Sequence, residues 1–351
     1  MKRFILKTVV LFILAVVIPF MPQLYSSIHY DTFNVFHWNN IRFTTAEPNK
    51  NYIKTKYILA NPKKFNAFIF GSSRVNNIPP DGLPKSLNGK KLNWYNMTSS
   101  IGTPDDHLMT IKTFLKNNIK MEFVIVQFDE IVMHRTPEQQ KSDLLRMPYQ
   151  IYDKNKVKFF LPYLKTKVDD TIITQIKNYE HEKHELQTKW FYDYGTGIYA
   201  SNFSLTENID PSCYEIGHPG YSRKEAYKDI ENIAILCKNN NINLILLTTP
   251  MHQNLYRNTV DDGYLDFLEK TAQTCEFYNF SALNNYTTNS AYYYDWSHYR
   301  PIIGLFIEKL LFGTDEEKAQ IRKDAGDNLW GIKVNRDNID ILIDYLKGQL
   351  R

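Results

Sequence analysis

The sequence predicts an α/β fold, a parallel sheet covered by helices on both faces. Three observations carry that expectation. The short apolar runs 67–70, 123–126 and 242–247, interrupted only at Asn243, are too brief for helices. Without an apolar–polar alternation they read as strands buried on both sides. Helical patterns fall between them, at 104–115, 222–238, 262–274 and 301–311, and strands alternating with helices imply a parallel sheet. Finally, Gly71, Asp129 and Pro250 each follow a strand, which places them at the edge where such sheets bind ligands.

Each element has a local reason. The run Ala67-Phe68-Ile69-Phe70 stops at Gly71, which lets a tight turn leave the strand without a side-chain clash. Residues 91–96 read as a second strand. Pro104 suits a first helical turn, and Asp105 and Asp106 suit its positive end. The 123–126 strand is wholly apolar and therefore expected to be central. From about 137 to 219, helical pieces and irregular chain without a strong strand signal suggest an inserted cap or lid. Ser222 caps the next helix. After the strand at 242–247 come a helix, a short strand at 276–280 and a last helix from Pro301. The tail, 313–351, opens with charge and closes in an amphipathic stretch, 338–350, expected to dock as a helix.

The ends and the bulk composition set further bounds. Met1-Lys2-Arg3 and Lys7 precede an apolar run from Val9 to Met21, and no charge follows before Ile28. This reads as an uncleaved single-pass anchor over residues 1–25, with the basic flank in the cytoplasm and the rest outside. A cleaved signal peptide is the alternative, with Leu24-Tyr25-Ser26 as its best site, and would make the protein secreted. Residues 26–64 form a connector, and 65–312 the main domain. With 351 residues and 43% hydrophobic content, a sizeable core is feasible. A net charge of +4 from scattered basic residues argues against nucleic acid as the main partner. The three cysteines, Cys213, Cys237 and Cys275, form neither a disulfide framework nor a zinc spacing. A Cys237–Cys275 pair and three idle thiols are the arrangements left open.

Chemistry is concentrated in two remote clusters, Gly71-Ser72-Ser73-Arg74 and Asp295-Trp296-Ser297-His298. A hydroxyl on a turn after a strand needs a base to become a nucleophile, and an imidazole base needs a carboxylate to hold its tautomer. Ser73, His298 and Asp295 supply the three groups, and the Ser73 N–H could face a developing oxyanion. Taken singly, the clusters also read as a loop of small residues and a helix cap beside a surface histidine. Arg74 has two readings, a ligand for substrate carboxylate or phosphate and a structural partner of an acid such as Asp129. His252 follows a central strand and either lines the pocket or caps a helix. Tyr299 and Arg300 flank the base. Other patterns carry no function. In His181-Glu182-Lys183-His184-Glu185 the histidines are three apart, not the four of a zinc-protease helix, so no metal is expected. Gly217-His218-Pro219-Gly220 is a turn signal, and the glycosylation patterns at Asn96, Asn202 and Asn285 arise easily by chance.

Together, a strand ending in Gly-Ser-Ser-Arg, the α/β succession and a late Asp-x-Ser-His-Tyr-Arg-Pro resemble the SGNH (GDSL-like) hydrolase superfamily. The likeness is to its membrane-anchored, extracytoplasmic branch, which includes the teichoic-acid D-alanine transfer protein and polysaccharide O-acetylation proteins. It covers roughly residues 60 to 312, the insertion excepted. It implies a flavodoxin-like three-layer sandwich with Ser73 as nucleophile, His298 as base and Asp295 as orienting acid. It also implies an oxyanion N–H from the 95–102 block, at Gly102 or a neighbouring small residue. Asn96, in the same block, is a candidate substrate ligand along with Arg74, Asp129 and His252. No cofactor is implied. The implied activity is esterase or O-acyltransferase chemistry on a cell-envelope polysaccharide or acylated carrier, with a membrane-bound O-acyltransferase as partner. A non-catalytic glycan-binding or scaffold role is the alternative. Two departures stand out: Ser72 replaces the usual aspartate of the first block, and Asp129 stands near where the family places an amide donor to the oxyanion.

Overall fold

The computed structural model describes residues 2–39, 47–130, 143–166, 190–201 and 225–350. Cys213, the 181–185 run, the turn at 217–220, Asn202 and the Ser222 cap lie outside them. The centre is a six-stranded, mostly parallel sheet. Its strands are β1 (Ala67–Phe70), β2 (Trp94–Asn96), β3 (Phe123–Phe128), β4 (Asn243–Thr248), β5 (Phe277–Asn279) and β6 (Ile332–Val334). They lie in the order β6-β5-β4-β3-β1-β2. All neighbours are parallel except β5 and β6. Strand β3 sits between β1 and β4 with all six residues buried, as the apolar run 123–126 requires, and with Gln127 as its one polar residue. The chain leaves β1 for β2 on one side and then returns past β1 to β3. The carboxyl ends of β1 and β3 therefore flank the point where the strand order reverses, the usual place for a ligand in open sheets.

Helices flank the sheet in two groups, an arrangement compatible with three layers. In the first, Pro104–Lys116 packs on Tyr227–Asn239, that helix on Leu265–Thr274, and the last on Ile339–Gly348. In the second, Pro301–Phe312 packs on the turn after β1 and on Asp315–Ala325. The tail is thus not an appendage. Strand β6 pairs antiparallel with β5, and the Trp330 ring is fully buried with its Nε1 donating to the Phe280 carbonyl at 2.9 Å. Nothing in the alternation of residues 332–334 marked so short a strand. The insertion also differs from expectation, since its described part holds a hairpin (Trp190–Tyr192 with Tyr199–Ser201) as well as helices Tyr149–Lys154 and Lys156–Leu164. The hairpin's turn covers the edge of β2, where Asn96 N donates to Thr196 O at 2.8 Å. A Cβ at Gly197 would fall into the Tyr95 ring, and its φ of +76° is one that glycine adopts freely.

One side chain ties the described part of the connector to the insertion. Asn49 caps the helix Lys50–Ala60 by accepting from Tyr52 N at 3.0 Å. Its amide donates to the carbonyls of Leu144 (3.1 Å) and Met147 (2.9 Å) and to the Tyr163 hydroxyl (2.7 Å). A second small core of Val35, Tyr52, Ile53, Met147, Phe159 and Tyr163 forms around it. At the amino end, helix Lys2–Val17 is separated from helix Met21–Tyr30 by a 3-10 turn, Ile18–Phe20, containing Pro19. A proline removes a backbone donor and interrupts a helix at this point. Among the described residues no helix is long and apolar enough to cross a membrane, contrary to the span expected over 1–25. Phe4, Leu11, Phe12, Ile18 and Phe20 are nevertheless exposed. Cys237 and Cys275 are free and buried, so the possible disulfide between them is not formed. Burial pushes the Cys237 thiol up to about 12.

Helix Pro301–Phe312 meets the turn after β1 backbone to backbone. A Cβ on Gly304 would fall on the Asn77 carbonyl, and one on Gly82 would fall on the Glu308 carboxyl. Glu308 itself is 5% exposed, and burial raises its pKa to about 8. The replacement Gly304→Ala is expected to cost about 1–3 kcal/mol of unfolding free energy through overpacking, as measured by urea denaturation. Because the folded protein holds the Glu308 proton more tightly than the unfolded chain, this group's stabilisation is complete below about pH 4.5 and fades as pH rises through about 8. The limiting slope is roughly 1.4 kcal/mol per pH unit. Subtracting Glu308→Gln stability from wild type at a series of pH values should recover that slope, and a flat difference would contradict it.

Candidate active site

The nucleophile turn is built by β1 and held from below. A Cβ at Gly71 would lie 2.5 Å from the Gln127 Oε1 and 2.8 Å from Val75, so only glycine fits there. The chain then forms a 3-10 turn, Ser73–Asn77, with Ser72 as its cap in extended conformation. Ser72 N donates to Gln127 Oε1 (3.2 Å) and Ser72 Oγ to Asp129 Oδ2 (2.7 Å), which fastens the turn to the end of β3. Ser73, next in line, is half-buried with its hydroxyl reaching outward. Among the described residues its N–H meets no acceptor.

The second cluster sits at the tip of a tight loop. Tyr293 and Tyr299 pair as an isolated antiparallel bridge, and both rings are fully buried. Tyr294 N donates to His298 O at 2.8 Å, and Arg300 N to Tyr292 O at 2.7 Å. Inside the tip, Asp295 Oδ1 accepts from the N–H groups of Ser297 (2.7 Å) and His298 (2.8 Å), an Asx turn that fixes the carboxylate. Its Oδ2 lies 2.8 Å from His298 Nδ1, and His298 Nε2 lies 2.7 Å from Ser73 Oγ. Both links fall within reach for proton transfer. Burial would raise the Asp295 pKa, but the His298 ring and the two N–H donors hold it below its ordinary value. An ionised Asp295 can only accept, so it draws the ring proton to Nδ1 and leaves Nε2 to accept from Ser73. About a third of each of the His298 and Asp295 side chains is exposed, so the three groups open to solvent.

Arg74 joins the two clusters from inside. The side chain is 1% exposed. Its Nη1 and Nη2 donate to Glu130 at 2.7 and 2.5 Å, and Nη1 lies 3.2 Å from Asp129 Oδ2. On the other side Nε and Nη2 donate to Ser297 Oγ at 3.0 and 2.9 Å. Burial alone would lower the guanidinium pKa, but Glu130 and Asp129 carry it above its ordinary value. A parallel tie runs from Asn77 Nδ2 to Tyr299 O at 2.6 Å. Arg74 is therefore turned inward and its donors are engaged within the protein, which places it as a strut and not as the substrate ligand of the first reading.

Three other candidates are also drawn inward. Asn96 is fully buried, and its amide donates to the carbonyls of Val75 (2.7 Å) and Ile78 (3.3 Å). It closes the turn after β1 from inside. Asp129 is 3% exposed and faces Ser72, Gln127 and Arg74. Burial pushes its carboxyl up against the pull of Arg74, and the Glu130 charge adds to the push. Its Oδ2 is already engaged by donors from Ser72, Gln127 and Arg74. His252 caps the helix Gln253–Thr259, is 1% exposed, and meets Ser290 Oγ at 3.2 Å.

The loop after β2 lies against the turn after β1. Thr98 Oγ1 donates to Ser72 O (2.6 Å) and Ser99 N to Gly71 O (3.1 Å), so the loop lies along the nucleophile turn. The Gly102 N–H is engaged at 3.2 Å with Ser99 O, closing a β-turn through Ser100 and Ile101. It is therefore not the oxyanion donor. Ser100, a small residue inside that turn, is buried. Ile101 holds a φ of +50°, a strained value for a β-branched residue, where the turn turns back. Glu130, and the part played by Ser297 inside its cluster, were missed by sequence reasoning. Glu130 sits beside a residue already singled out, but nothing in a linear pattern joins position 130 to position 297.

Compared with models of known protein families and with curated proteins, the sequence matches none. The arrangement has the parts for one kind of chemistry, an activated alcohol with a backbone donor beside it. The strut carries a measurable load. Arg74→Met strands Asp129 and Glu130 in the interior and is expected to cost about 3–5 kcal/mol in urea unfolding. The double change Arg74→Met with Glu130→Gln should recover part of that loss, and an additive result would show that the pair is not coupled.

Proposed function

We propose that the protein is a serine-dependent esterase or O-acyltransferase of the SGNH type. The 2.7 Å approach of Ser73 Oγ to His298 Nε2, with Asp295 on the far ring nitrogen, carries the reading. The strand order with Ser73 after the first strand agrees with the sandwich that the sequence resemblance implies. In the first step His298 Nε2 takes the Ser73 proton as Oγ bonds to the ester carbonyl carbon. The resulting oxyanion faces the Ser73 N–H. The carbonyl re-forms, the bond to the leaving alkoxide breaks, and that oxygen takes the proton from His298. A water or sugar hydroxyl then gives its proton to His298, attacks the acyl-Ser73 carbonyl and releases Ser73 with its proton restored.

By the same resemblance the acyl group moves to or from a cell-envelope polysaccharide outside the cytoplasmic membrane, with a membrane-bound O-acyltransferase as supplier. The exposed apolar residues of the first helix provide a means of attachment to a lipid surface. A non-catalytic glycan-binding role was favoured by an acid in the oxyanion position. The engagement of Asp129 Oδ2 by Ser72 and Arg74 weakens that reason.

A fluorophosphonate is expected to label Ser73 in the wild type and not in Ser73→Ala. Hydrolysis of an aryl acetate should fall by about 1000-fold or more in Ser73→Ala and comparably in His298→Ala. A wild-type protein that neither labels nor hydrolyses would favour the binding role.

A further inference from the structure

A helix at the protein surface ordinarily turns its polar side to water and its apolar side to the core. Helix Met21–Tyr30 does the reverse. Its polar pair, Gln23 and Ser27, faces the insertion. Gln23 Nε2 donates to Ser27 Oγ (2.9 Å) and to Thr166 O (2.7 Å), and Ser27 Oγ lies 3.1 Å from the carbonyls of Leu164 and Thr166. Leu164 ends the insertion helix Lys156–Leu164, and the carbonyls of a last turn have no partner within their own helix. The polar side of one helix thus closes the end of the other. The apolar residues Met21, Tyr25 and Ile28, at the spacing of a single helix face, are 52, 66 and 43% exposed. The insertion helix repeats the pattern. Phe159 and Tyr163 are buried in the second core, whereas Val157 and Leu161 on the opposite face are 72 and 45% exposed.

The charge around these stripes has one sign. Residues 154–166 carry Lys154, Lys156, Lys158 and Lys165, all exposed, and no acid. Residues 1–30 carry Lys2, Arg3 and Lys7 and again no acid. Exposed Ile18 and Phe20 continue the outward stripe of Met21–Tyr30 into the apolar first helix. A second copy of the chain would set lysine against lysine, which opposes self-association through this face. Apolar side chains ringed by basic ones suit the boundary between acidic headgroups and acyl chains.

We propose that the folded body, and not the first helix alone, docks on an anionic lipid bilayer. Met21, Tyr25, Ile28, Val157 and Leu161 enter the headgroup boundary, and Lys154, Lys156, Lys158 and Lys165 meet the acidic headgroups. Because Gln23 and Ser27 bind the end of the insertion helix, the contact orients the insertion on the membrane. This docking is independent of the chemistry at Ser73.

The test places the full chain, one copy per disc, in nanodiscs of phosphatidylcholine with or without phosphatidylglycerol. A nitroxide is attached at Val157→Cys or Tyr25→Cys in a Cys213→Ser background, since Cys237 and Cys275 are buried. A label at Ile341→Cys, exposed on the tail helix, is the reference. Collisions with oxygen, which concentrates in lipid, and with a water-soluble nickel chelate are compared. With phosphatidylglycerol, the labels at Val157 and Tyr25 should meet mainly oxygen and the label at Ile341 mainly nickel. A lysine beside an acidic surface is worth about fivefold in binding, so Lys156→Gln with Lys158→Gln should return the Val157 label toward nickel. A Val157 label that meets nickel in both kinds of disc overturns the docking, even where Tyr25 enters lipid, because only the amino-terminal helices would then be attached. Equal entry without phosphatidylglycerol overturns the part given to the lysines. Spin coupling between Val157 labels of two chains, in discs loaded with pairs, assigns the face to a second copy and overturns the docking as well.

Discussion

A single buried guanidinium holds the site together. Ser73 belongs to a turn after the first strand, and His298 to a loop ahead of helix Pro301–Phe312, 225 positions later. A hydrogen bond of 2.7 Å between them tolerates little error, and two surface loops would not keep it. Arg74 solves the problem by sitting beneath both. It is covalently part of the nucleophile turn, it grips the Ser297 hydroxyl in the loop of the base, and it is itself neutralised by Glu130 and Asp129 at the end of β3. Such a cluster is expensive to bury and contributes little net stability against an apolar equivalent. Its return is positional. A planar fork with five donors fixes three chain segments in one plane, which a lysine could not do.

The surrounding scaffold repeats this logic with neutral groups. Asn96 ties the end of the nucleophile turn to β2, Asn77 ties it to the loop of the base, and Asn49 ties the connector to the insertion. In each case an amide, able to donate and accept at once, satisfies backbone groups that no sheet or helix supplies. About a third of the His298 and Asp295 side chains stays exposed, while Arg74, Asn96 and Asn49 are buried. That division lets solvent and substrate reach the reacting atoms without loosening the geometry.

Much of this was legible in the residues. The apolar runs located β1, β3 and β4 because strands buried on both faces need no alternation, and the pairing of a Gly-Ser-Ser turn with a late Asp-x-x-His pointed to the three groups that the fold brings together. What escaped depended on distances between remote positions. Arg74 carries the same charge whether it faces a ligand or a buried acid, and only the depth of Glu130 and Ser297 decides between them. Asn96 and His252 followed strands and looked available, but burial assigned them to capping. Gly102 had the right size, yet its N–H was already used within a turn whose form shows only in the left-handed Ile101. Strand β6 is three residues long, too short for any periodicity to register, and its pairing with β5 makes the tail part of the sheet.

The long separation between hydroxyl and imidazole has a temporal meaning. During synthesis the segment bearing Ser73 emerges early, while the residues that activate it belong to the last sixth of the chain. Until Asp295 and His298 arrive and helix Pro301–Phe312 settles its bare glycine against Asn77, the serine is an ordinary alcohol. Under the proposed mechanism a nascent chain would therefore lack the activated serine until the last sixth of the sequence has been made and folded.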